Sequence, residues 1–216
     1  MNQTFKRSKR LSIKEEVGNS VSHGIGAFAM LILLPISVTY TYTHHNLRMT
    51  IGISIFLISL FAMFLSSAIY HAMPYGSTHK YVLRIIDHSM IYIAIAGSYT
   101  PVALSLLPGA FGYSLMIFQW TITIFGILYK IFAKRVNEKF SLALYLAMGW
   151  LVIFLLPMLM KKTTTLFWLF MVGGGVSYSL GAVFYSRKGS YDHLIWHLFI
   201  LMASILHYLG IVYFMV

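Results

Sequence analysis

Followed for its apolar and polar positions, the chain divides into seven long apolar runs separated by short polar gaps. The runs extend roughly over Val21–Thr43, Thr50–Ala72, Ile85–Leu107, Gly112–Phe132, Ser141–Met160, Thr165–Ser186 and Leu194–Val216. About 20 apolar residues carry a helix across the hydrocarbon of a bilayer, so each run is long enough for one crossing. A barrel is excluded, because the runs are continuous and barrel strands alternate over segments of about ten residues. The pattern therefore predicts an all-α, polytopic membrane protein. Its seven-transmembrane bundle occupies residues 21–216, after a basic segment at residues 1–20, and the gaps leave no room for a soluble domain.

Composition supports the same class. The 216 residues are 59% hydrophobic, 16% aromatic and only 10% charged, with a mean hydropathy of +0.78, whereas soluble domains carry about 25% charged residues to cover their surface. There is no Cys, which excludes disulfides, thiolate metal sites and a Cys nucleophile, and leaves imidazole, carboxylate or hydroxyl as metal ligands. Nine His keep that option open.

The net charge of +11 would suit nucleic acid in a soluble protein, but in a membrane protein basic excess marks cytoplasmic loops. Sorted by side, thirteen of the 16 Lys and Arg fall together: Lys6, Arg7, Lys9, Arg10 and Lys14, then Lys80 and Arg84, then Lys130, Lys134, Arg135 and Lys139, then Arg187 and Lys188. Arg48, Lys161 and Lys162 fall opposite. The N-terminus is thus expected in the cytoplasm and, after an odd number of crossings, the C-terminus outside. The first run follows a basic flank as a signal peptide would, but its length exceeds an h-region of about 7–15 residues, so it is expected to be retained. Gly173, Gly174, Gly175 and Gly181 in the sixth run permit close helix packing.

Ionisable groups inside membrane segments cost about 2.5–3.5 kcal/mol each, which makes each a functional candidate. His23 lies early in the first run, His71 closes the second, Asp87 and His88 open the third, and Asp192, His193 and His197 open the seventh. With alternating direction these all fall at the cytoplasmic boundary. His193 and His197 are four residues apart and share a helix face, suitable for two ligands of one metal. His71 is the best third ligand. Three His leave a fourth position for water, the arrangement of a catalytic zinc, and Asp87 is placed to accept a hydrogen bond from that water as general base or orienting group.

Plainer roles compete. An i, i+4 His pair more often packs than ligates, Asp87 could pair with Arg84 one turn before it, and Ser67 could bond its own backbone. Asp192 reads as the N-cap of the last helix, and His44, His45 and His79 as solvated. His207 lies about 15 Å beyond His197 along the helix and either lines a cavity or packs against Tyr208.

The ordered set of Glu16, Asn19 and His23 as E-x-x-N-x-x-x-H, Ser67 and His71 as S-x-x-x-H, Asp87, and His193 with His197 as H-x-x-x-H resembles the hemolysin III family over nearly the whole chain. That family is the bacterial branch of the progestin and adipoQ receptor superfamily, itself similar to the alkaline ceramidases. The resemblance implies a zinc ion near the cytoplasmic face of the cell membrane, bound at His71, His193 and His197. Asp87 and Ser67 would lie close to the metal water, and Glu16, Asn19 and His23 would support the site. Zinc is chosen from the resemblance, since three imidazoles also suit copper, nickel or iron. His88 stands where receptor relatives often carry an aromatic residue, which leaves ligand exchange with His88 open.

The leading functional expectation is zinc-dependent hydrolysis of a lipid amide or ester in membrane lipid homeostasis, with a membrane lipid as substrate or ligand and no nucleic acid. A pore-forming cytolysin is the alternative from another class, though the runs carry no charged stripe to line a pore. A receptor or sensor with a structural zinc is the third.

Overall fold

The computed structural model describes residues 10–187 and 189–215. Lys6, Arg7, Lys9, Lys188 and Val216, on which some of the readings above fall, lie outside the described residues. Among the described residues there is no strand, and seven helices follow one another: α1 (Ile13–His44), α2 (Leu47–Ala72), α3 (Thr78–Ser105), α4 (Gly109–Phe132), α5 (Glu138–Leu159), α6 (Thr165–Ser186) and α7 (Asp192–Tyr213). Six are long and apolar enough to cross a membrane; α3 is the exception. The chain is a multi-pass membrane protein.

The departure of α3 has a structural cause. It packs against α2, α4, α5 and α7, and α7 in turn packs against α1, α2, α3 and α6. A helix surrounded by other helices faces protein rather than lipid, so it can carry polar side chains if they find partners there. Accordingly Lys80, Asp87, His88, Ser89 and Thr100 of α3 are all buried. The outer helices instead turn Ile, Leu, Val and Phe outward, as at Phe28, Ile117 and Leu169.

Helix α1 begins at Ile13 rather than at Val21, because Ser12 and Glu15 form a reciprocal capping box. The same Glu15 accepts a hydrogen bond from the Tyr191 backbone N–H at 2.7 Å, which ties the start of α1 to the start of α7. At the opposite end the Ser37 hydroxyl of α1 lies 3.0 Å from the Tyr208 hydroxyl of α7. These two helices therefore run parallel. Asp192 is not the N-cap of α7 but its first residue: Tyr191 holds the cap position at φ 63°, and the Asp192 carboxylate accepts from the Gly189 N–H at 2.7 Å.

Two lysines expected in connections, Lys80 and Lys130, are buried within α3 and α4. Helix α5 is also interrupted, with an α-helical Glu138–Trp150, a 3-10 turn at Leu151–Leu155 and a final α-turn at Leu156–Leu159. Neighbouring side chains take its backbone partners. Gln119 Nε2 donates to the Met148 carbonyl at 3.2 Å and Tyr99 Oη to the Gly149 carbonyl at 2.7 Å, while the Val152 N–H donates to Tyr99 Oη at 2.8 Å. Pro157 has no N–H to return to Ile153, so the regular ladder is lost on both sides of the tight turn.

Close approach between α2 and α3 depends on Gly52, where an added Cβ would stand 2.5 Å from the Pro101 Cα, while nothing lies within 4 Å of the same position at Gly24. Gly52→Ala is expected to lower the melting temperature of the detergent-solubilised chain by roughly 2–10 °C, from an overpacking cost of about 1–3 kcal/mol. Gly24→Ala should leave it within about 1 °C of the parent. Equal melting temperatures would show that α2 and α3 are not in this contact.

Candidate metal centre

The two histidines selected by spacing and His71, selected by its depth, come together from two helices. His71 sits in the last turn of α2, and His193 and His197 in the first two turns of α7. His193 Nε2 lies 3.3 Å from His71 Nε2 and 3.2 Å from His197 Nε2. One ligand nitrogen from each of the three lies within 4.8 Å of the others, so the group could hold a metal ion.

Their protonation follows from the surroundings. Glu16 Oε2 lies 2.7 Å from His71 Nδ1, and a carboxylate only accepts, so Nδ1 carries the proton and Nε2 presents its lone pair to the other two rings. Glu16 Oε1 is held by Lys80 Nζ at 2.8 Å. That ammonium also donates to the carbonyls of Tyr70 at 3.3 Å and Met73 at 3.1 Å, at the end of α2. The Lys80–Glu16–His71 chain thus joins α3, α1 and α2 and aims one imidazole. Asn19 Nδ2 lies 3.5 Å from His71 Nδ1. His23, one turn further along α1, stacks on the His197 ring with centroids 3.8 Å apart and planes inclined by 18°, and meets the Phe64 ring edge-to-face at 5.1 Å.

The donor set fits a metal. Ring nitrogens that face one another gain only by sharing a proton or a cation, and the tautomer fixed at His71 withholds its proton from the shared space. Nitrogens bound at about 2.0–2.1 Å around a tetrahedral zinc stand roughly 3.3 Å apart, close to the two separations found.

Asp87 and Ser67 do not belong to the triad but flank a cavity of about 170 Å³ beside it, together with His23. Ser67 is 1% exposed, and its hydroxyl finds no partner among the described residues. The Asp87 carboxylate lies 3.2 Å from His88 Nδ1, while Arg84 reaches Glu138 Oε1 at 3.3 Å. The ring of His88 also bonds the Arg84 carbonyl through Nδ1 at 2.9 Å, and it stands outside the converging group.

Two contributors escaped the sequence reading. Glu15 had a legible signal, the Ser12-x-x-Glu15 capping pattern. Lys80 had none, since a lysine just before an apolar run reads as a loop charge.

A family model described as haemolysin-III related matches residues 11–208. Hemolysin-3 of Bacillus cereus is 34% identical over 203 residues, covering 94% of this chain and 92% of the relative. The Hemolysin-3 homolog of Bacillus subtilis is 35% identical over 194 residues, covering 89% and 91%. The human monocyte to macrophage differentiation factor is 29% identical over 158 residues, covering 70% of this chain and 65% of its own length.

The purified, chelator-washed and metal-reloaded chain is expected to hold about one transition-metal ion per molecule by elemental analysis, and His193→Ala to hold none. Glu16→Gln, which keeps the side-chain shape but weakens the hold on His71, should lower metal affinity by about 10–100-fold in a competition titration. An unchanged affinity in Glu16→Gln would remove the carboxylate from the site.

Proposed function

The chain belongs to the haemolysin-III-related family, and from that premise we propose that it is a zinc-dependent hydrolase cleaving an amide or ester of a membrane lipid. In this reading all seven helices cross the cell membrane, α3 within the shelter of the others. The N-terminus faces the cytoplasm and the C-terminus the outside, consistent with the charge asymmetry. The histidine triad then lies near the cytoplasmic face.

One observation carries the proposal. A cavity with His23, Ser67 and Asp87 at one end continues between α3, α5, α6 and α7 as a predominantly apolar space beside the triad. A water-soluble substrate has no use for such a space, whereas an acyl chain fills it while its linkage meets the polar end. Ile153 of α5 and Val172 of α6 line the cavity and are about half exposed, and in this reading its edge reaches lipid between these helices.

His71, His193 and His197 would hold the ion, which when bound supplies Lewis acidity that polarises a carbonyl oxygen and brings the pKa of water to about 7. The remaining work falls to the chain. The Asp87 carboxylate takes a proton from the attacking water as its oxygen bonds to the acyl carbon, and passes it to the departing amine or alkoxide as the carbon–nitrogen or carbon–oxygen bond breaks, leaving a carboxylic acid and an amine or alcohol. Asp87 Oδ2 finds no hydrogen-bond partner among the described residues and is free to take that proton. The Ser67 hydroxyl donates to the oxygen on which negative charge develops.

Release of free fatty acid from a panel of ceramides, N-acyl amino lipids and phospholipids by the zinc-loaded chain tests the proposal. Asp87→Asn is expected to lower the rate by about 10²–10⁴-fold with the metal retained, and Ser67→Ala by roughly tenfold to a thousandfold. A fully metal-loaded chain that cleaves no lipid in the panel would overturn it.

A further inference from the structure

The lining of the cavity is apolar between two polar stations, and the second lies deep in the bundle. His207 stands about 15 Å from His197 along α7, and Trp168, one turn from Met171 on α6, lines the same space. Most polar groups along the wall are committed to the protein: Tyr99 and Tyr145 donate to the carbonyls of Gly149 and His88 at 2.7 Å each, and Tyr178 shares a hydrogen bond with Ser204 at 2.9 Å. Trp168 differs. Its indole Nε1–H is buried and finds no acceptor among the described residues, and a buried donor left unbonded is costly enough to be rare in native structures.

His207, on the neighbouring α7, complements it. His207 Nε2 lies 3.2 Å from the Met171 carbonyl, which only accepts, so Nε2 carries the proton and Nδ1 is the acceptor. The ring is seated deliberately close to α6, because Gly174 stands where any Cβ would strike it. One unbonded donor, Trp168 Nε1–H, and one acceptor, His207 Nδ1, thus belong to residues that line the same largely apolar cavity.

From this we propose that the cavity recognises a lipid whose acyl chain carries an oxygen function, a hydroxyl or a ketone, far from its head group. The inference rests on the lipid reading of the cavity but not on hydrolysis. A hydroxyl oxygen accepts from Trp168 and its hydrogen is donated to His207, while a ketone satisfies Trp168 alone. A plain chain leaves the indole N–H unbonded or forces water to stay.

Binding to the detergent-solubilised full chain is measured by thermal shift with stearic acid and with series of hydroxystearic and oxostearic acids in which the oxygen is walked along the chain. Stearic acid is expected to bind, and a hydroxyl at one region of the distal half of the chain to bind about threefold to tenfold tighter, with the ketone between them. Trp168→Phe and His207→Phe should bring the hydroxylated and plain chains to within twofold of each other while stearic acid binds as before. If all chains bind equally to the parent protein, or if the preference survives in both variants, the second station is refuted and the lipid cavity stands. If neither plain nor oxygenated chains bind, the lipid reading of the cavity itself is overturned. Should a variant fail to fold, the positional series on the parent protein still decides the matter.

Discussion

The ion pair between Lys80 and Glu16 is the contact on which the site depends. Removing charge from water inside a hydrophobic bundle is costly, and the cost is met here because each group has more than one partner: the ammonium bonds the carboxylate and two carbonyls at the end of α2, and the carboxylate bonds the ammonium and His71. The network needs α1, α2 and α3 at fixed heights. Once it forms, the tautomer and direction of His71 are set, and His193 and His197 need only arrive on α7. Glu15 brings them, through the Tyr191 N–H that immediately precedes that helix.

This arrangement explains why polar character concentrates in the middle of the bundle. Helices α3 and α7 carry Asp87, His88, His193 and His197 and are also the helices with the most neighbours. Lipid tolerates none of these side chains without partners. Lys130 follows the same rule from the side of α4: it is 1% exposed, with its ammonium 5.7 Å from the centre of the Tyr145 ring, and Tyr145 in turn donates to the backbone of His88. Central position and chemical function are two consequences of one solvation constraint.

That constraint also sets how much could be read from the sequence. Apolar run length made the helices legible, to the residue for Thr165–Ser186, because it directly measures the solvent a segment faces. The i, i+4 spacing of His193 and His197 was legible because helix periodicity is local, and His71 because it closes α2 at the boundary where α7 begins. Lys80 and Lys130 were misplaced for the converse reason. A buried lysine and a loop lysine at the edge of an apolar run have the same neighbours in sequence, and only groups on another helix, Glu16 for Lys80 and the Tyr145 ring for Lys130, tell them apart. The interruption of α5 was hidden likewise, since Tyr99 and Gln119, which draw its backbone hydrogen bonds away, belong to α3 and α4. Pro157 marked the place without revealing the cause.

The interruption also links the fold to the cavity. Tyr99, whose hydroxyl reshapes α5 at Gly149 and Val152, lines the cavity together with those two residues. A straight α5 would carry its carbonyl ladder unbroken past α3 and leave the Tyr99 hydroxyl without either partner, so the tight turn and the buried tyrosine stabilise one another. Helix α6 packs extensively on α7, whereas α5 touches both α3 and α6 only sparsely, so the α5 side of the wall is the weakly held one. The rigid side of the cavity is therefore the side that carries Asp87 and the histidines, and the looser side is the one that borders lipid. Chemistry that needs fixed geometry and access that needs movement are thus assigned to opposite walls of the same space.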